Sequence, residues 1–488
     1  MAKILFTHSY FYRFDPKQWE VKQPYPPYGT IYAAALMRSL GHEVKLFDTN
    51  LVENTDAIQP LIESFQPDYL VVYDDGFNYL TKMCLTNMRE AAFDILKLAK
   101  SAGATTMVCS SDSTDHFARY LEEGADFVML GEGELTLKEL ITDHQAGQLN
   151  ESAVLGIAFQ KDGHIQRNAS RPVLRDLDSL PDPAWDLIDM DSYKEIWLEH
   201  QGYFSLNMAT TRGCPYKCNW CAKPIYGNRY NSRSPERVAK EMKMLVDTYG
   251  AQYFWMGDDI FGLKPGWVQK FRVALDELNF RVPFKIQSRA DLLLKEDSIQ
   301  ALADAGLQQV WIGAESGSQK ILDAMDKGTK IEQIHKATEL LKEKGVQVCF
   351  FLQFGYLGEN KEDIQKTIDM MLDLMPHDIG VSVSYPLPGT GFYEKVKTQL
   401  KDKQNWTDSD ELAVMYQATY PPAYYKRLHR YVHKLFRRKQ AVETIQSMLK
   451  NPAKANKRNL RKAASLAYYI PGAIVDQYKL KRLEKPTA

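Results

Sequence analysis

Apolar runs alternate with helical patterns through the first 150 residues. Five runs rich in β-branched and aromatic residues are typical of strands, and the segments between them carry apolar residues at helical spacing. This alternation predicts a doubly wound parallel α/β sheet, which binds ligands beyond the carboxyl ends of its strands. The predicted strands are 3–10, 43–48, 69–74, 105–109 and 127–130, and the predicted helices are 31–40, 57–65, 88–100, 117–122 and 135–142.

A second alternating region runs from residue 196 to about residue 400. Its six strand–helix units predict a partial (βα)6 barrel, and a barrel of parallel strands carries its chemistry at the carboxyl ends of the strands. Between the two regions, residues 155–166 alternate around Asp162-Gly163 and predict a hairpin, and prolines then favour an extended linker. The predicted barrel strands end at Ala209, Gly257, Ser288, Ala314, Gly355 and Tyr385.

The chain of 488 residues is too long for one ordinary domain. We expect a first domain over 1–150, a hairpin and linker over 151–195, the barrel over 196–400 and a mainly helical extension over 401–488. The start of the chain passes directly into a strand-like run without a signal-peptide pattern, and no apolar stretch is long enough to predict a spanning helix. Few cysteines fit a reducing compartment, so a cytoplasmic location is expected.

The formal net charge is −1, but the charges are unevenly distributed. Lysine and arginine dominate after residue 426, interleaved with tyrosines, and 466–471 form an apolar and aromatic patch. This pattern suits a solvated helical extension that closes the barrel, or a peripheral contact with an anionic membrane surface. A nucleic-acid partner is not expected, because no aromatic-rich RNA-binding signature is present.

Three of the six cysteines lie together on the loop after the first predicted barrel strand. Cys214, Cys218 and Cys221 have the spacing C-x3-C-x2-C, and thiolates are the ligands that iron–sulfur clusters select. Three thiolates can hold three irons of a cubane and leave the fourth iron open. A structural zinc site would need a fourth Cys or His close by, and none follows.

This loop, including Trp220 before the last cysteine, resembles the signature of the radical S-adenosylmethionine (SAM) superfamily. The resemblance implies a [4Fe–4S] cluster on the three cysteines, SAM on the open iron, and an electron donor such as flavodoxin or ferredoxin. Reduction of the cluster would then cleave SAM to a 5′-deoxyadenosyl radical.

Later strand ends also resemble SAM-binding segments of that superfamily. Asp258 and Asp259 stand where the family receives the methionyl amine, and Arg289 matches the residue near the SAM carboxylate and ribose. The segment 310–317 resembles the one that walls the adenosine, which implies contacts from Ile312 and Glu315. A helix-capping role for Glu315 is the alternative.

The first region resembles the flavodoxin-like, cobalamin-binding domain that precedes many radical SAM domains. Pro26-Pro27-Tyr28-Gly29 and the segment through Gly131-Glu132-Gly133-Glu134 carry the likeness, whereas Ser110-Ser111-Asp112-Ser113 replaces the usual Gly-Gly-Pro-His. An inherited domain that has lost cobalamin is therefore the alternative. The cobalamin contacts that the resemblance implies are Tyr28, Gly29, Asp74, Ser110, Ser111, Gly131 and Glu132.

Together these features resemble the group that contains class B methylases and the anaerobic magnesium-protoporphyrin ester cyclases. The resemblance implies methylation of an unactivated carbon, with cobalamin as the carrier of the methyl group. Cobalamin-assisted oxidation or cyclisation, a radical SAM enzyme without cobalamin, and a cluster-bearing scaffold or sensor are the alternatives. No motif identifies the substrate, and the basic extension favours a small or lipid-like, anionic one.

Overall fold

The computed structural model describes residues 1–83, 85–221, 225–400, 403 and 405–484. Two large sheets and a C-terminal group of helices make up this part of the chain. No helix within these described ranges is both long and apolar enough to cross a membrane.

The first sheet has seven strands, of which five are parallel in the order β2-β1-β3-β4-β5. Its five parallel strands start where the sequence predicts, and each ends at the predicted residue or up to three residues before it. Eight helices accompany these strands. The strands are β1 Lys3–Thr7, β2 Glu43–Phe47, β3 Tyr69–Tyr73, β4 Thr105–Cys109 and β5 Phe127–Met129. The helices are α1 Pro16–Val21, α2 Tyr28–Ser39, α3 Gln59–Phe65, α4 Tyr79–Lys82, α5 Thr86–Ser101, α6 Ser111–Asp115, α7 Phe117–Glu122 and α8 Glu134–Gln145.

The predicted hairpin forms, but it belongs to the first sheet. Its strands are β6 Ile157–Lys161 and β7 His164–Arg167, and β6 pairs antiparallel with β5. The buried start of β6 continues the apolar core behind β5, because Ile157, Ala158 and Phe159 are all buried. The hairpin thus completes the sheet, and helix α9 (Met190–Gln201) follows before the second sheet begins.

The second sheet is the predicted partial barrel, with six parallel strands in the order β15-β14-β13-β12-β11-β8. A two-stranded ribbon of β9 (Thr211–Arg212) and β10 (Asn231–Ser232) follows β8. The strands are β8 Ser205–Met208, β11 Tyr253–Met256, β12 Phe284–Ser288, β13 Leu307–Glu315, β14 Gln347–Phe354 and β15 Asp378–Val383. The helices are α10 Pro235–Tyr249, α11 Trp267–Glu277, α12 Ala290–Leu293, α13 Ser298–Ala305, α14 Gln319–Ala324, α15 Ile331–Glu343, α16 Lys361–Leu374 and α17 Gly391–Val396.

The two faces of the barrel sheet differ in chemistry. One face is apolar and fully buried, and Phe284 on this face packs against Phe271 of α11. The other face, which we call the lumen face, alternates with it and is half-buried at Lys285, Trp311 and Phe351. Because side chains alternate along a strand, the helices cover the apolar face and the lumen face lines the inside of the barrel.

The C-terminal region is helical, as the sequence predicts. Helix α18 (Pro422–Lys450) packs against the last barrel strand and carries α19 (Lys457–Ala464) and α20 (Leu466–Leu483). Asp476 of α20 is buried and accepts hydrogen bonds from Arg427 at 2.8 Å and Lys434 at 2.7 Å. Part of the basic charge in this extension is therefore neutralised within it.

Candidate active site

The carboxyl edges of the two sheets face each other. Arg212, beside the cysteine loop, forms ion pairs with Glu132 at 2.5 Å and Glu134 at 2.7 Å, and both glutamates follow β5. Lys82, at the end of α4 near the first sheet, pairs with Asp259, which follows β11, at 2.5 Å. The cysteine loop therefore lies at the junction of the two edges.

Asn219 fixes the cysteine loop to the far side of the barrel. Its backbone N–H donates to Met325 O at 3.0 Å, and its carbonyl accepts from Phe392 N–H at 2.7 Å. Its side chain donates to Ala324 O at 2.9 Å and accepts from the Tyr356 hydroxyl at 2.7 Å. These contacts come from loops after three later strands, so the loop is held from several sides.

The guanidinium of Arg289 lies directly beside Cys218. It donates to Cys218 Sγ at 3.6 Å and stacks on Tyr216 at 3.8 Å from the ring centroid. Asp291, at 2.9 Å, and the carbonyl of Lys327, at 2.6 Å, hold the guanidinium in place. A fixed cation at this distance can offset the negative charge that a thiolate bound to iron carries.

Lys327 places a second cation in the same region. Its Nζ is buried and pairs with Glu315 at 2.9 Å. Burial alone would lower the pKa of Lys327, but the neighbouring Glu315 carboxylate and Cys218 thiolate raise it above its usual value. The pair needs Gly313, because a Cβ at that position would lie 2.6 Å from both Glu315 Oε1 and Lys327 Nζ. Glu315 itself has a left-handed φ of 57°, an uncommon conformation for a residue other than glycine.

Asp258 supports the start of the cysteine segment. Its Oδ1 accepts from Thr210 N–H at 2.8 Å and Thr211 N–H at 2.5 Å, and from both threonine hydroxyls. Burial raises the pKa of Asp258 to about 6, against the lowering effect of these hydrogen bonds. Its Oδ2 is buried with no partner among the residues that the structure describes. Asp259 is instead engaged by Lys82.

The structure corrects the prediction for Ile312. Ile312 pairs in register with Ser288 and Phe350, and all three lie on the buried face that packs against the helices. From that face its side chain cannot reach a ligand inside the barrel. The neighbouring lumen positions are Trp311 and Gly313. Glu315 does lie at the mouth, so only part of the predicted adenosine wall is in place.

The predicted cobalamin contacts all lie at the carboxyl edge of the first sheet. Several of them, however, are engaged by the chain itself. Asp74 accepts from Ser9 N–H at 2.7 Å and from its hydroxyl at 2.9 Å, and burial raises the pKa of Asp74 to about 6. Ser110 caps α6 through Ser113 N–H at 2.8 Å. Tyr28 contacts Glu241, Gly29 donates to Asp75, Ser111 is buried, Gly131 lies beside the carbonyl of Ile225, and Glu132 pairs with Arg212.

The donors around the mouth fit an iron–sulfur cluster and SAM. Three thiols share one loop, two cations lie beside Cys218 to offset the negative charge of thiolates, and the unpartnered Oδ2 of Asp258 suits an ammonium group. In the described ranges, no three His, Cys, Asp or Glu side chains converge on one ion. A cubane does not require such convergence, since each thiolate binds a different iron.

The edge of the first sheet fits a ligand rich in amide groups only in part. Three buried polar atoms there have no hydrogen-bond partner among the described residues, namely the hydroxyls of Tyr10 and Tyr32 and Oε2 of Glu134. Such atoms favour a polar ligand, and cobalamin carries amide side chains. Near Ser110 the edge is instead filled by the buried pair of Arg89 and Asp112 at 2.5 Å.

Sequence reasoning missed Arg212, Asn219 and Lys327. Arg212 and Asn219 lie within or beside the cysteine motif, but the motif carries no signal of their tertiary contacts. The signal for Lys327 was weak, because a lysine after a helix is ordinarily solvent-exposed.

Comparisons with known proteins agree with this geometry. Residues 208–371 match the radical SAM superfamily. An uncharacterized methyltransferase of Pyrococcus horikoshii is 27% identical over 388 residues, covering 78% of this chain and 81% of the relative. The anaerobic magnesium-protoporphyrin IX monomethyl ester cyclase of Cereibacter sphaeroides is 25% identical over 414 residues, covering 82% of this chain and 64% of the relative.

Solved structures share the fold over most of this chain. The cobalamin-dependent SAM radical enzyme OxsB, with aqua-cobalamin bound, aligns with a TM-score of 0.73 at 18% identity, covering 98% of this chain and 72% of OxsB. The radical SAM methyltransferase TsrM of Kitasatospora setae, with cobalamin and a [4Fe–4S] cluster bound, aligns with a TM-score of 0.66 at 18% identity, covering 88% of this chain and 82% of TsrM. Residues 208–371 thus form a radical SAM domain, and the chain is a radical SAM enzyme with the fold of OxsB and TsrM.

Proposed function

We propose that this enzyme methylates an unactivated carbon of a small or lipid-like substrate. Cys214, Cys218 and Cys221 hold the [4Fe–4S] cluster, SAM binds at the barrel mouth, and cobalamin binds at the edge of the first sheet. When bound, the cluster supplies the electron that cleaves SAM, and cobalamin supplies the methyl group. The observation that carries the proposal is the meeting of the two edges through Arg212 and Glu132 at 2.5 Å.

The chain's own residues position these groups. Asn219 orients the cysteine loop through its contacts with later loops, and Arg289 keeps a positive charge beside Cys218. Oδ2 of Asp258 receives the methionyl ammonium, while Oδ1 keeps the preceding strand in place. The buried pair of Lys327 and Glu315 forms the opposite wall at the mouth. Radical chemistry needs such a closed site, because water and side reactions must be excluded.

Anaerobic reconstitution tests the proposal. The protein is loaded with iron, sulfide and hydroxocobalamin, desalted, and its visible spectrum is recorded for both cofactors. With SAM and a strong reductant we expect 5′-deoxyadenosine and S-adenosylhomocysteine, and a product heavier than the substrate by one CH2. Failure to retain cobalamin after desalting, with 5′-deoxyadenosine still formed, would show a radical SAM enzyme without this cofactor.

Oxidation or cyclisation without methyl transfer is the second candidate. It is favoured by the similarity to the ester cyclase, which covers 82% of this chain. A product lighter by two hydrogens, formed without S-adenosylhomocysteine, would decide for it.

We also propose that the outer face of α20 contacts an anionic membrane. Tyr468, Ile474 and Tyr478 lie on one stripe and are 64%, 60% and 62% exposed. Exposed lysines and arginines, among them Lys479 and Arg482, flank this stripe. An exposed apolar face bordered by cations is typical of helices that lie in a membrane interface.

Vesicle co-sedimentation tests the membrane contact. Vesicles of phosphatidylcholine with phosphatidylglycerol should bind the protein, and vesicles of phosphatidylcholine alone should bind it more weakly. The triple change Tyr468→Ser, Ile474→Ser and Tyr478→Ser should lower binding about tenfold or more. The matched control changes three exposed apolar residues elsewhere, Val21, Leu155 and Val273, to serine. Equal binding of the two variants would refute the contact.

A further inference from the structure

The lumen face of the barrel is a half-open surface whose chemistry the proposed reaction does not use. Trp255, Lys285, Trp311 and Phe351 are half-buried, although they lie on the inner strands of the sheet. The floor below is closed by the segment before α2, because the Tyr25 hydroxyl contacts Ser205 Oγ at 3.2 Å and Asn207 donates to Pro26 O at 3.0 Å. The lumen thus has aromatic walls and a closed end.

Lys285 provides a cation near the closed end. Its Nζ lies 5.3 Å from the ring centroid of Trp255 and 5.4 Å from that of Tyr25. Among the residues that the structure describes, no carboxylate lies in ion-pair range of this amine. A lysine in such a setting is stabilised by aromatic faces alone, so an anionic group entering the lumen would gain a partner.

An aromatic pair lies between Lys285 and the mouth. The rings of Trp311 and Phe351 stack at 4.7 Å with an interplanar angle of 24°. Gly380 on the adjacent strand packs against both rings, since a Cβ there would lie 3.1 Å from Phe351 and 3.3 Å from Trp311. Both rings are half-buried, and such aromatic faces favour contact with a planar, apolar group.

We infer that the lumen binds an elongated aromatic carboxylic acid, with its carboxylate at Lys285 and its ring system along Trp311 and Phe351. This inference rests on the proposed function and names the substrate class for that same site. Lys285 lies three residues before the end of β12, which places it roughly 10 Å below the mouth at ~3.3 Å per residue. The reacting carbon should therefore lie about 10 Å from the carboxylate.

The charges around Lys285 give the binding a pH dependence. Burial lowers the pKa of Lys285 to about 8. Burial also raises the pKa of the Cys349 thiol to about 12 and the pKa values of the Tyr25, Tyr203 and Tyr253 hydroxyls, so these neighbours stay neutral below pH 10. On β15, Asp378 is paired with Arg437 at 2.9 Å. Affinity for an acid should thus fall as the pH rises above 8.

Titration calorimetry on the reconstituted protein tests the site. The probe is biphenyl-4-carboxylate, a rigid two-ring acid, and its neutral counterpart is biphenyl-4-methanol. The acid should bind the unmodified protein about 10- to 100-fold more tightly than it binds the Lys285→Met variant. Lys285→Arg should restore binding and abolish its decline above pH 8. The neutral probe should bind Lys285→Met and the unmodified protein equally.

Two controls make the result specific. Lys336→Met removes an exposed lysine, changes the net charge by the same amount and should leave binding unchanged. Gly380→Val should weaken the binding of both probes, because the valine side chain would displace the Trp311 and Phe351 rings. Equal affinity of the acid for Lys285→Met and the unmodified protein would overturn the inference. A loss of acid binding in Lys336→Met as large as that in Lys285→Met would overturn it too. Thermal melting identifies any variant that fails to fold, and Lys285→Arg then carries the test through its pH profile.

The two proposals can fail separately. Formation of 5′-deoxyadenosine without binding of the acid would leave the proposed reaction intact and overturn the lumen site. Acid binding that depends on Lys285, in a protein that never cleaves SAM, would support the lumen site and remove the proposed reaction.

Discussion

The two sheets bring similar edges together, but the edges are filled differently. At the first sheet the charged groups neutralise one another, as in the buried pair of Arg89 and Asp112 at 2.5 Å. At the barrel mouth the cations of Arg289 and Lys327 lie beside Cys218, and Oδ2 of Asp258 has no partner among the described residues. Both edges keep polar atoms without a partner in the described part of the chain, so each is prepared for a ligand, but only the mouth combines them with thiols and cations.

The difference indicates where the chemistry of this chain is concentrated. The barrel mouth supplies thiols, cations and a carboxylate acceptor within one set of loops, while the first sheet supplies an opposing surface whose open polar atoms are two hydroxyls and one carboxylate oxygen. Arg212 connects the two edges, because its side chain extends from the cysteine segment and pairs with two glutamates at the edge of the first sheet.

The thiols of the mouth should have the largest effect on activity. Cys218→Ala removes one of the proposed iron ligands and one partner of Arg289, so iron content should fall and 5′-deoxyadenosine formation should drop below detection. Iron analysis and chromatography of the nucleoside products measure both. Cys349→Ala, a buried thiol in β14, should leave iron content unchanged. A Cys218→Ala protein with full iron content would contradict the difference between the two edges, because the barrel mouth would then not be where iron binds.

Removal of Arg212 should have the largest effect on stability. Arg212→Met leaves Glu132 and Glu134 buried without a counter-charge, and a broken buried pair costs about 3–5 kcal/mol. Denaturant unfolding measures the loss. Adding Glu132→Gln and Glu134→Gln should recover most of it. Arg38→Met breaks an exposed pair with Asp186 and should cost less than about 1 kcal/mol.

Glu359 at the mouth should make stability depend on pH. Burial raises the pKa of Glu359 to about 8 from an ordinary value of 4.5, and its Oε1 has no partner among the described residues. The stability that its protonated form contributes is fully present below pH 4.5 and is lost as the pH rises through 8. Glu359→Gln should thus be more stable than the unmodified protein by up to about 5 kcal/mol above pH 8, and equally stable near pH 4.5.

Thermal melts across this pH range measure the difference. The matched variant is Glu362→Gln, which alters an exposed glutamate three residues away and should show no comparable trend. A constant difference between Glu359→Gln and the unmodified protein at all pH values would contradict the assignment.

Loss of the Asn219 side chain should have the smallest effect. Asn219→Ala removes hydrogen bonds to Ala324 O and from the Tyr356 hydroxyl; because these two groups still bond each other, the loss is about 0.5–1.5 kcal/mol for each bond removed. Loosening of the loop should increase the rate of iron loss to a chelator about 5- to 100-fold, with a small change in melting temperature. Asn150→Ala, which alters an exposed asparagine outside the barrel, serves as the comparison. Equal rates of iron loss would contradict a role for Asn219 in holding the loop.

Periodicity predicted the architecture well, because the barrel sheet and the first five strands of the other sheet are parallel, and these strands are short apolar runs between amphipathic helices. The predicted strand ends from Ser288 to Tyr385 lie within two residues of those observed. The hairpin was recognised, but its attachment to β5 could not be, since pairing partners of an edge strand depend on tertiary contacts.

The site was predictable where one residue type dominates the chemistry. The three cysteines and Arg289 lie at the mouth as expected, because strand ends in a parallel barrel converge. The orientation of Ile312 was not predictable from a motif, since one step in register moves a side chain to the other face. The partners of Arg212 lie about 80 residues earlier in the chain, a separation that no local pattern reveals.

The contacts of Asn219 have a consequence for how the protein is made. The loop leaves the ribosome roughly 170 residues before Phe392, which supplies one of its hydrogen bonds, and at ~5–20 residues per second this takes on the order of 10–30 s. During that interval the thiols are held by an incomplete barrel and are open to oxidation. Iron insertion should therefore follow completion of the last barrel unit, and delivery of iron to a nascent chain would be premature.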